Sequence, residues 1–530
     1  MLKNLMLFGF IISILLGACV GIDTTIDTSS SKQIVYILST EPGSIDPHIT
    51  DETEIAIPLR QIYDTLIYRD PQTKNFVPGL AESWSVSSDG LVYTLNLKQG
   101  VIFHNGEMFD ARAVGSNFDR ILQTSTNNSK SRSLLGTYER YEIIDAYTIR
   151  LILRTSYSPF LDALSQPYLG IASPSALADY STNRYQFHQV GTGPFYLEEY
   201  VPGNRIIIRR NESYTWGPSF YSPQEENSIE VVEFRFIATP SGRFNAINIG
   251  SAQIVNDLLP SDARGLTANS TIQVIPVRLP GMPMQFLINT TRFPTDNLVV
   301  RQALLYASNR NIIADTVFQR FSSVAWGPIT PATLFYDRSV EGIYATDIIT
   351  AQELLSESGY QDTNQDGILD LGGVDLEVVI MIPPGALTTE VAQLLQDQWR
   401  AIGVRTILDP LPTMSALESR RLTNDYNLIA ISSTGLDPVL LNSYFLSNGI
   451  NNWSRFTTPQ LDSFLVDASQ RLEFNVRGDM YSQLQQYIMS QAVLLPIREA
   501  VILNASVAEV QNVTFDAYAI PILNNFVLID

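Results

Sequence analysis

Residues 78–106 read PGLAESWSVSSDGLVYTLNLKQGVIFHNG, and this stretch decides the fold that the sequence predicts. Within it, Leu91 to Leu97 (LVYTLNL) alternates apolar and polar side chains, between Gly90 and Gly100. Alternation with a period of two indicates a half-buried strand, and the flanking glycines indicate turns. The stretch therefore predicts strands that are joined by tight turns.

The rest of the first half of the chain repeats this pattern. Short apolar or alternating runs lie at Gln33–Ser39, Ile143–Leu153 and Arg205–Arg209. Such runs indicate strands when turn-forming residues bound them. The first half is therefore predicted to be rich in strands, with irregular loops between them.

In the second half of the chain, the apolar residues recur at helical spacing. Asp296 is in place to cap a helix whose apolar positions follow at i, i+3, i+4 and i+7, and Thr350–Glu353 matches a capping box. Val391–Ile402 carries another apolar stripe, which Gly403 ends, and Val404–Leu408 then has the pattern of a strand. Alternation of helices and strands predicts an α/β region with a partly parallel sheet.

The length and composition of the chain limit the classes of protein that it can belong to. A chain of 530 residues exceeds what one hydrophobic core usually serves, so two or more lobes are expected. The net charge is −20, and no Lys/Arg cluster provides the basic face that a nucleic-acid partner requires. One cysteine cannot form an internal disulfide or a multi-cysteine metal site.

The first 32 residues have the layout of an export signal. Lys3 is followed by an apolar run from Leu5 to Leu16, and Gly17 and Ala18 precede Cys19. The run is too short to span a bilayer, which needs about 20 apolar residues, so residues 1–18 are interpreted as a signal peptide. The sequence LGAC resembles a lipobox, which implies lipid attachment at Cys19. Residues 19–32 are rich in Ser and Thr and are predicted to form a flexible tether.

The sequence lacks the common motifs for catalysis and for cofactor binding. The chain has no Gly-Lys dipeptide for a P-loop, no His-Glu-x-x-His and no Gly-x-Ser-x-Gly. Gly191-Thr192-Gly193 lacks the third glycine of a dinucleotide fingerprint and is interpreted as a tight turn. Asp362–Gly373 has partial EF-hand spacing but lacks the glutamate of position 12, so an Asx-rich turn is preferred. Neither a cofactor nor a resident metal is predicted, and the chain is expected not to be an enzyme.

Four segments together resemble the bacterial extracellular solute-binding proteins of family 5, the peptide/nickel-binding group that serves ABC importers. The segments are Glu41–Pro47, Pro78–Gly106, Val190–Phe195 and Asn289–Arg310, and the resemblance extends from about Ile34 to the C-terminus. It implies an α/β fold with two lobes, a ligand buried between them, and no chemistry on that ligand. Permease subunits and their ATPases are the implied partners.

The resemblance also implies the division of the chain. Residues 33–277 and 497–530 are assigned to lobe I, which carries an extra subdomain at about 51–185, and residues 278–496 are assigned to lobe II. Each lobe would hold a mixed sheet with flanking helices, and a two-stranded hinge would join the lobes. The protein would be lipid-anchored and face the periplasm or the cell exterior.

One site residue departs from the family. In the peptide binders, an aspartate four residues before the proline of an Asp-Pro pair grips the ligand's α-amino group, and here that position is Thr434. A threonine cannot form this ion pair, so Asp437 or another acid would have to replace it. The residues predicted to contact the ligand are Ser432, Ser433, Thr434, Gly435, Leu436, Asp437, Asn452 and Trp453. Trp453 is equally compatible with a place in the core.

The sequence therefore predicts the binding component of an ABC importer for a peptide or peptide-like solute. Two alternatives stay open: a binding protein for a non-peptide solute such as an oligosaccharide, and a ligand sensor with the same fold. An exported hydrolase is disfavoured, because no residue pattern indicates a catalytic acid pair or a catalytic triad. A nickel ligand is disfavoured as well, since no histidine follows His188.

Overall fold

The computed structural model describes residues 32–123, 130–385 and 387–529, so the predicted signal peptide and Cys19 lie outside the described residues. Within those ranges the helices are α1 (Ala56–Ile62), α2 (Ala111–Leu122), α3 (Lys130–Leu134), α4 (Phe160–Ala163), α5 (Pro174–Asp179), α6 (Thr182–Tyr185), α7 (Pro240–Asn248), α8 (Pro260–Leu266), α9 (Leu298–Ala307), α10 (Arg310–Thr316), α11 (Ile348–Glu357), α12 (Thr388–Arg400), α13 (Met414–Leu422), α14 (Leu441–Phe445), α15 (Pro459–Gln470) and α16 (Phe474–Ser490). None of the helices in this part of the chain is long and apolar enough to cross a bilayer.

The strands of the described ranges are β1 (Gln33–Leu38), β2 (Ile67–Arg69), β3 (Phe76–Pro78), β4 (Ala81–Val86), β5 (Val92–Leu97), β6 (Tyr138–Asp145), β7 (Thr148–Leu153), β8 (Phe195–Val201), β9 (Arg205–Arg210), β10 (Val231–Phe236), β11 (Ile254–Val255), β12 (Ile272–Arg278), β13 (Gly281–Ile288), β14 (Asp370–Leu371), β15 (Val374–Asp375), β16 (Glu377–Ile382), β17 (Arg405–Pro410), β18 (Leu428–Thr434), β19 (Leu494–Arg498), β20 (Val501–Val507), β21 (Val510–Gln511) and β22 (Val527–Leu528). The strand predictions at residues 33, 91, 205 and 404 are confirmed to within a residue or two.

The largest sheet has seven strands, in the order β12-β20-β11-β1-β10-β9-β8. β1 pairs in parallel with β10 and β11, and the other neighbours are antiparallel. Tyr36 and Leu38 of β1 join one hydrophobic cluster, whereas Ile37 joins another on the opposite face. A strand that is covered on both faces requires a nearly continuous apolar run, and the sequence QIVYIL supplies one.

A second sheet has five strands, in the order β17-β16-β18-β13-β19. β16 lies parallel to β17 and to β18, and α12 is the crossover that connects β16 with β17. The apolar run VVIMI of β16 is buried, and Trp399 of α12 packs into the same hydrophobic cluster. The predicted α/β region with a partly parallel sheet is therefore confirmed.

The stretch that decides the fold forms half of a smaller sheet. β4 and β5 pair as an antiparallel hairpin, and β7 and β6 extend it in the order β4-β5-β7-β6. Helix α2 begins behind Asp110, whose side chain accepts from the backbone N–H groups of Arg112 and Ala113. The buried faces of this sheet and of α2 form a fourth hydrophobic cluster.

The run at Ile143–Leu153, whose pattern fits a strand or a hairpin, lies in a hairpin, because Asp145 ends β6 and a turn leads into β7. Two predictions of helix starts need correction. α9 starts after Asn297, whose side chain caps Val299 N–H, so Asp296 is not the cap. α11 is capped by Asp347, whose carboxylate accepts from Thr350 N–H, so Thr350 lies inside the first turn and does not open a capping box.

The loop with partial EF-hand spacing forms the predicted Asx-rich turn. The Asp362 carboxylate accepts from the N–H groups of Asp366 and Gly367, and the Asp370 carboxylate accepts from Thr363. In these bonds the carboxylates accept from backbone N–H groups of the same loop. The loop thereby links α11 to the strands that follow.

The chain crosses from one large sheet to the other twice. Residues 279–280 lead from β12 to β13, and residues 499–500 lead back from β19 to β20. The two crossing segments run side by side, because Leu279 N–H donates to the Ala500 carbonyl at 2.8 Å. This pair of segments corresponds to the two-stranded hinge expected from the sequence.

Candidate ligand-binding cavity

A cavity of about 260 Å³ lies beside the crossing segments, where the two large sheets face each other. Tyr36 of β1 and Asn504 of β20 line it from the seven-stranded sheet, and Thr434 of β18 lines it from the five-stranded sheet. Leu279 and Pro280 of the first crossing segment also border it. A concave space between two packed units is a frequent kind of site for a small ligand.

Thr434 and Gly435 are the two predicted site residues that line this cavity. Thr434 ends β18 opposite Gly281 of β13, and Gly435 N–H donates to the Pro280 carbonyl at 3.0 Å. A side chain at position 281 would place its Cβ 2.1 Å from the Ser433 carbonyl oxygen, so only glycine permits this approach. The end of β18 is thus held against the first crossing segment.

Ser433 and Ser432 lie one and two residues before Thr434 in β18. Ser432 lines a second cavity of about 350 Å³, which shares Asp257, Leu279 and Ile502 with the first. Ser433 is half-buried and pairs with Met282 in the sheet. The predicted loop therefore borders two adjoining cavities.

Asp437 is held in an ion pair. Both oxygens of its buried carboxylate accept from the guanidinium of Arg477, at 2.6 and 2.7 Å, and Oδ1 also caps Val439 N–H. Burial alone would raise the pKa of Asp437, but the charge and hydrogen bonds of Arg477 outweigh burial and lower it. Leu436, beside it, is fully buried. This geometry favours a structural role for both residues, and their contact with a ligand stays a prediction.

Asn452 and Trp453 lie apart from the cavity that holds Thr434. The Asn452 amide donates to the carbonyls of Leu446 and Phe456, which fixes the loop around it. Trp453 packs in the hydrophobic cluster of the five-stranded sheet with 8% of its surface exposed. Of the two readings that the sequence left open for Trp453, the packing favours the core.

Glu54, which sequence reasoning did not single out, places a carboxylate on the cavity wall. Ser39 donates to it through both its N–H and its hydroxyl at 2.9 Å, Thr40 N–H donates at 2.9 Å, and the Asn256 amide donates as well. Burial raises the pKa of Glu54, and these hydrogen bonds offset only part of that increase. The carboxylate is therefore fixed in position by uncharged donors.

Lys130 brings a positive charge to the same wall. Its Nζ lies 4.5 Å from the centre of the Tyr168 ring, a cation–π distance. Burial lowers the pKa of Lys130 to about 8, although the negative charge of Asp51 opposes this shift. Neither Glu54 nor Lys130 has a sequence signal, because each belongs to a polar segment that looks like ordinary surface.

Tyrosine rings and aliphatic side chains form the rest of the wall. Tyr518 donates its hydroxyl to Asp162 Oδ1 at 2.8 Å, and Tyr168 donates to the Glu52 carbonyl at 2.8 Å. Both rings border the cavity while their polar ends are already bonded. A wall of this kind offers apolar contact and leaves polar recognition to a few groups.

A second set of contacts joins the four-stranded sheet to α15, far along the chain from the crossing segments. Ser158 donates to the Ser469 carbonyl through its N–H at 2.8 Å and its hydroxyl at 2.9 Å. Ser156 donates its hydroxyl to the Gln470 carbonyl at 2.8 Å. Because α15 packs with the five-stranded sheet's cluster, these bonds hold the two sides of the protein together.

The described ranges contain no group of three or more His, Cys, Asp or Glu side chains placed to hold a metal ion. His48 Nδ1 accepts from the Arg120 guanidinium and His48 Nε2 donates to the Gly170 carbonyl, while His104 Nε2 donates to the Gly193 carbonyl. Both imidazoles are thus engaged in internal bonds.

Two large sheets, two crossing segments and a cavity that residues of both sheets line are the features that a protein enclosing a small solute requires. The profile of the bacterial extracellular solute-binding proteins, family 5, matches residues 75–453 of the chain. The chain belongs to this family. The predicted family and fold class are confirmed, and family membership makes the chain a solute-binding protein.

Relatives of known function are distant in sequence but similar in length. The glutathione-binding protein GsiB of Salmonella paratyphi A is 26% identical over 485 residues, covering 88% of this chain and 89% of the relative. The relative from Escherichia coli O157:H7 is 25% identical over 492 residues, covering 90% and 91%. The chain thus aligns with nearly the whole of both relatives.

Solved structures share the fold. NikA from Brucella suis, in complex with Fe(III)-EDTA, has a TM-score of 0.83 at 22% identity, covering 94% of this chain and 99% of that one. AppA from Bacillus subtilis, in complex with a nonapeptide, has a TM-score of 0.74 at 19% identity, with the same coverage. These likenesses establish the architecture.

Proposed function

We propose that this protein is the solute-binding component of an ABC importer and that it captures a peptide or peptide-like solute in the cavity beside Thr434. The observation that carries the proposal is the position of this cavity, which the ends of both large sheets and a crossing segment line together. A ligand in that place would touch both sides of the protein at once. Its binding would therefore favour a closed form over an open one.

The lobes in this proposal are residues 33–277 with 497–530 and residues 278–496, and residues 51–185 form the extra subdomain. Two features support the division. The seven-stranded sheet takes its strands from Gln33–Arg278 and Val501–Val507, and the five-stranded sheet takes its strands from Gly281–Arg498. The crossing segments would then act as the hinge. The permease subunits and their ATPases would recognise the closed form.

The peptide assignment draws on the relatives. The GsiB proteins are named for glutathione, a tripeptide-like solute, and AppA was solved with a nonapeptide. Reduced glutathione and short peptides are therefore the first ligands to test. Native mass spectrometry of the protein purified gently from its own host would identify the bound molecule after denaturation. A released peptide supports the proposal, whereas an oligosaccharide or another non-peptide would overturn the peptide assignment and keep the transport role.

The lipid anchor at Cys19 is part of the same proposal. Its support is the LGAC sequence that follows a short apolar run. An anchored binding protein stays near the permease, which raises its effective concentration there. Intact mass measurement of the mature protein should show cleavage before Cys19 and an additional mass that corresponds to attached acyl chains. Substitution of Cys19 by alanine should release the protein from the membrane fraction, and retention of that variant in the membrane would refute the anchor.

A further inference from the structure

Two side chains of opposite charge border the cavity. Glu54 and Lys130 both line it, and neither forms an ion pair with any residue of the described ranges. A charge that is removed from water destabilises the protein unless another charge or strong hydrogen bonds compensate it. Two opposite charges that share one cavity without an ion pair to the described residues therefore need an explanation.

Glu54 differs from the other acids near the cavity. Asp257 also borders it, but Oδ2 of Asp257 lies 3.4 Å from the guanidinium of Arg243. Asp437 is neutralised by Arg477, as described above. Every donor to Glu54 is uncharged, so no basic side chain of the described residues forms an ion pair with its carboxylate.

The position of Glu54 is fixed before any ligand arrives. Its partners Ser39 and Thr40 follow β1 directly, and Asn256 follows β11, the strand next to β1. Both anchors thus come from neighbouring strands of the rigid seven-stranded sheet. A charged group that the scaffold holds in place binds its counter-ion with little further loss of side-chain entropy.

We propose that Glu54 receives the primary ammonium group of a zwitterionic, peptide-like ligand and that Lys130 receives its carboxylate. This inference rests on the proposed function and specifies its ligand. The resemblance to peptide binders implies an acid at position 434, and here Thr434 is neutral. The negative charge would instead come from Glu54 on another wall of the same cavity. A volume of about 260 Å³ lies just below the range of about 300 to 1,000 Å³ that is usual for small-molecule sites, which favours a short ligand.

The first test varies the ligand and keeps the protein unchanged. Isothermal titration calorimetry would compare trialanine, N-acetyl-trialanine and trialanine amide on the wild-type protein. The free peptide should bind about tenfold to a hundredfold more tightly than either blocked peptide, because each block removes one charge from an enclosed pair. Equal affinity for trialanine and N-acetyl-trialanine would overturn the inference while peptide binding, and with it the proposed function, would stand. No binding of any of the three would overturn both the inference and the peptide assignment, while the role of solute-binding component would stand.

The second test assigns each charge to its residue. Glu54→Gln should remove the preference for a free amino group and keep the preference for a free carboxylate, and Lys130→Met should do the reverse. Glu52→Gln is the matched control, because Glu52 lies two residues away, bonds to Gly43 N–H and does not border the cavity. It should behave as the wild type.

A rescue variant separates recognition from folding. Adding Thr434→Asp to Glu54→Gln returns a carboxylate to the same cavity from the other sheet, so the preference for trialanine over N-acetyl-trialanine should return. A merely structural role for Glu54 predicts no such rescue. Melting curves of all variants would confirm that each one is folded at the temperature of the titration. An unchanged preference in folded Glu54→Gln overturns the inference.

Discussion

Substitution of Asp437 by asparagine separates the structural reading of this residue from the ligand-contact reading. Both Asp437 and Arg477 are buried, with side-chain exposures of 4% and 6%, and two hydrogen bonds of 2.6 and 2.7 Å join them. Asparagine keeps the shape and the oxygen that caps Val439 N–H, but it removes the negative charge. Arg477 would then be a buried cation without a counter-ion.

The size of the effect follows from that geometry. Removal of one partner of a buried ion pair destabilises a protein by about 3–5 kcal/mol. With a urea dependence of about 3 kcal/mol per molar, this loss shifts the midpoint of unfolding downward by roughly 1 to 1.7 M. Removal of both charges, as Asp437→Asn with Arg477→Met, should recover a large part of the loss, because no unpaired charge then remains.

Equilibrium urea unfolding at pH 7, followed by tryptophan fluorescence and circular dichroism, would measure the midpoint. Titration with trialanine at 10 °C would measure binding by the folded variant. We expect a large loss of stability and an affinity within about twofold of wild type. A variant that unfolds at the wild-type midpoint, or one that is stable but has lost peptide binding, would refute the reasoning and would return Asp437 to the ligand site.

Three further predictions concern other residues. His48 is fully buried and its pKa is lowered to about 4, first by burial and then by Arg120. The unfolded chain takes up this proton near pH 6.5, so on the order of 3 kcal/mol of stability, present above pH 6.5, is lost as the pH falls toward 4. Urea midpoints between pH 7 and 4.5 should therefore fall less steeply in His48→Gln than in the wild type, and equal slopes would contradict this. Trp453→Ala should lower the unfolding free energy by about 3–5 kcal/mol and leave the peptide affinity of the folded protein unchanged in calorimetry; loss of affinity without loss of stability would place Trp453 in the ligand site. Ser158→Ala removes one of the bonds to the Ser469 carbonyl, worth about 1 kcal/mol, so peptide affinity should weaken roughly fivefold, and an unchanged affinity would show that this contact does not contribute to closure.

The sequence predicted those parts of the fold in which local pattern and burial agree. The alternation LVYTLNL became β5, and the stripe ending at Ile402 became α12, because each pattern matches a face that packs against a core. Helix starts were less predictable. Asp296 and Asn297 are both good capping residues, and only the path of the chain into α9 decides that Asn297 makes the bond. The hinge was predicted only as a consequence of the chain leaving one sheet and returning to it.

The candidate site divides along a similar line. Thr434 could be located from sequence, because it lies next to an Asp-Pro pair in a segment whose order along the chain resembles the family. Glu54 and Lys130 could not, since Glu54 precedes α1 and Lys130 begins α3, and their meeting in one cavity depends on tertiary packing and not on any local spacing. A missing charge at one position predicts that another acid must compensate it, but Asp437, the nearest acid in sequence, already has Arg477 as its partner. The choice between nearby acids was therefore decided by their partners, which only the folded chain reveals. Glu54, for which the described residues hold no basic partner, is the acid that we propose for a cationic ligand group.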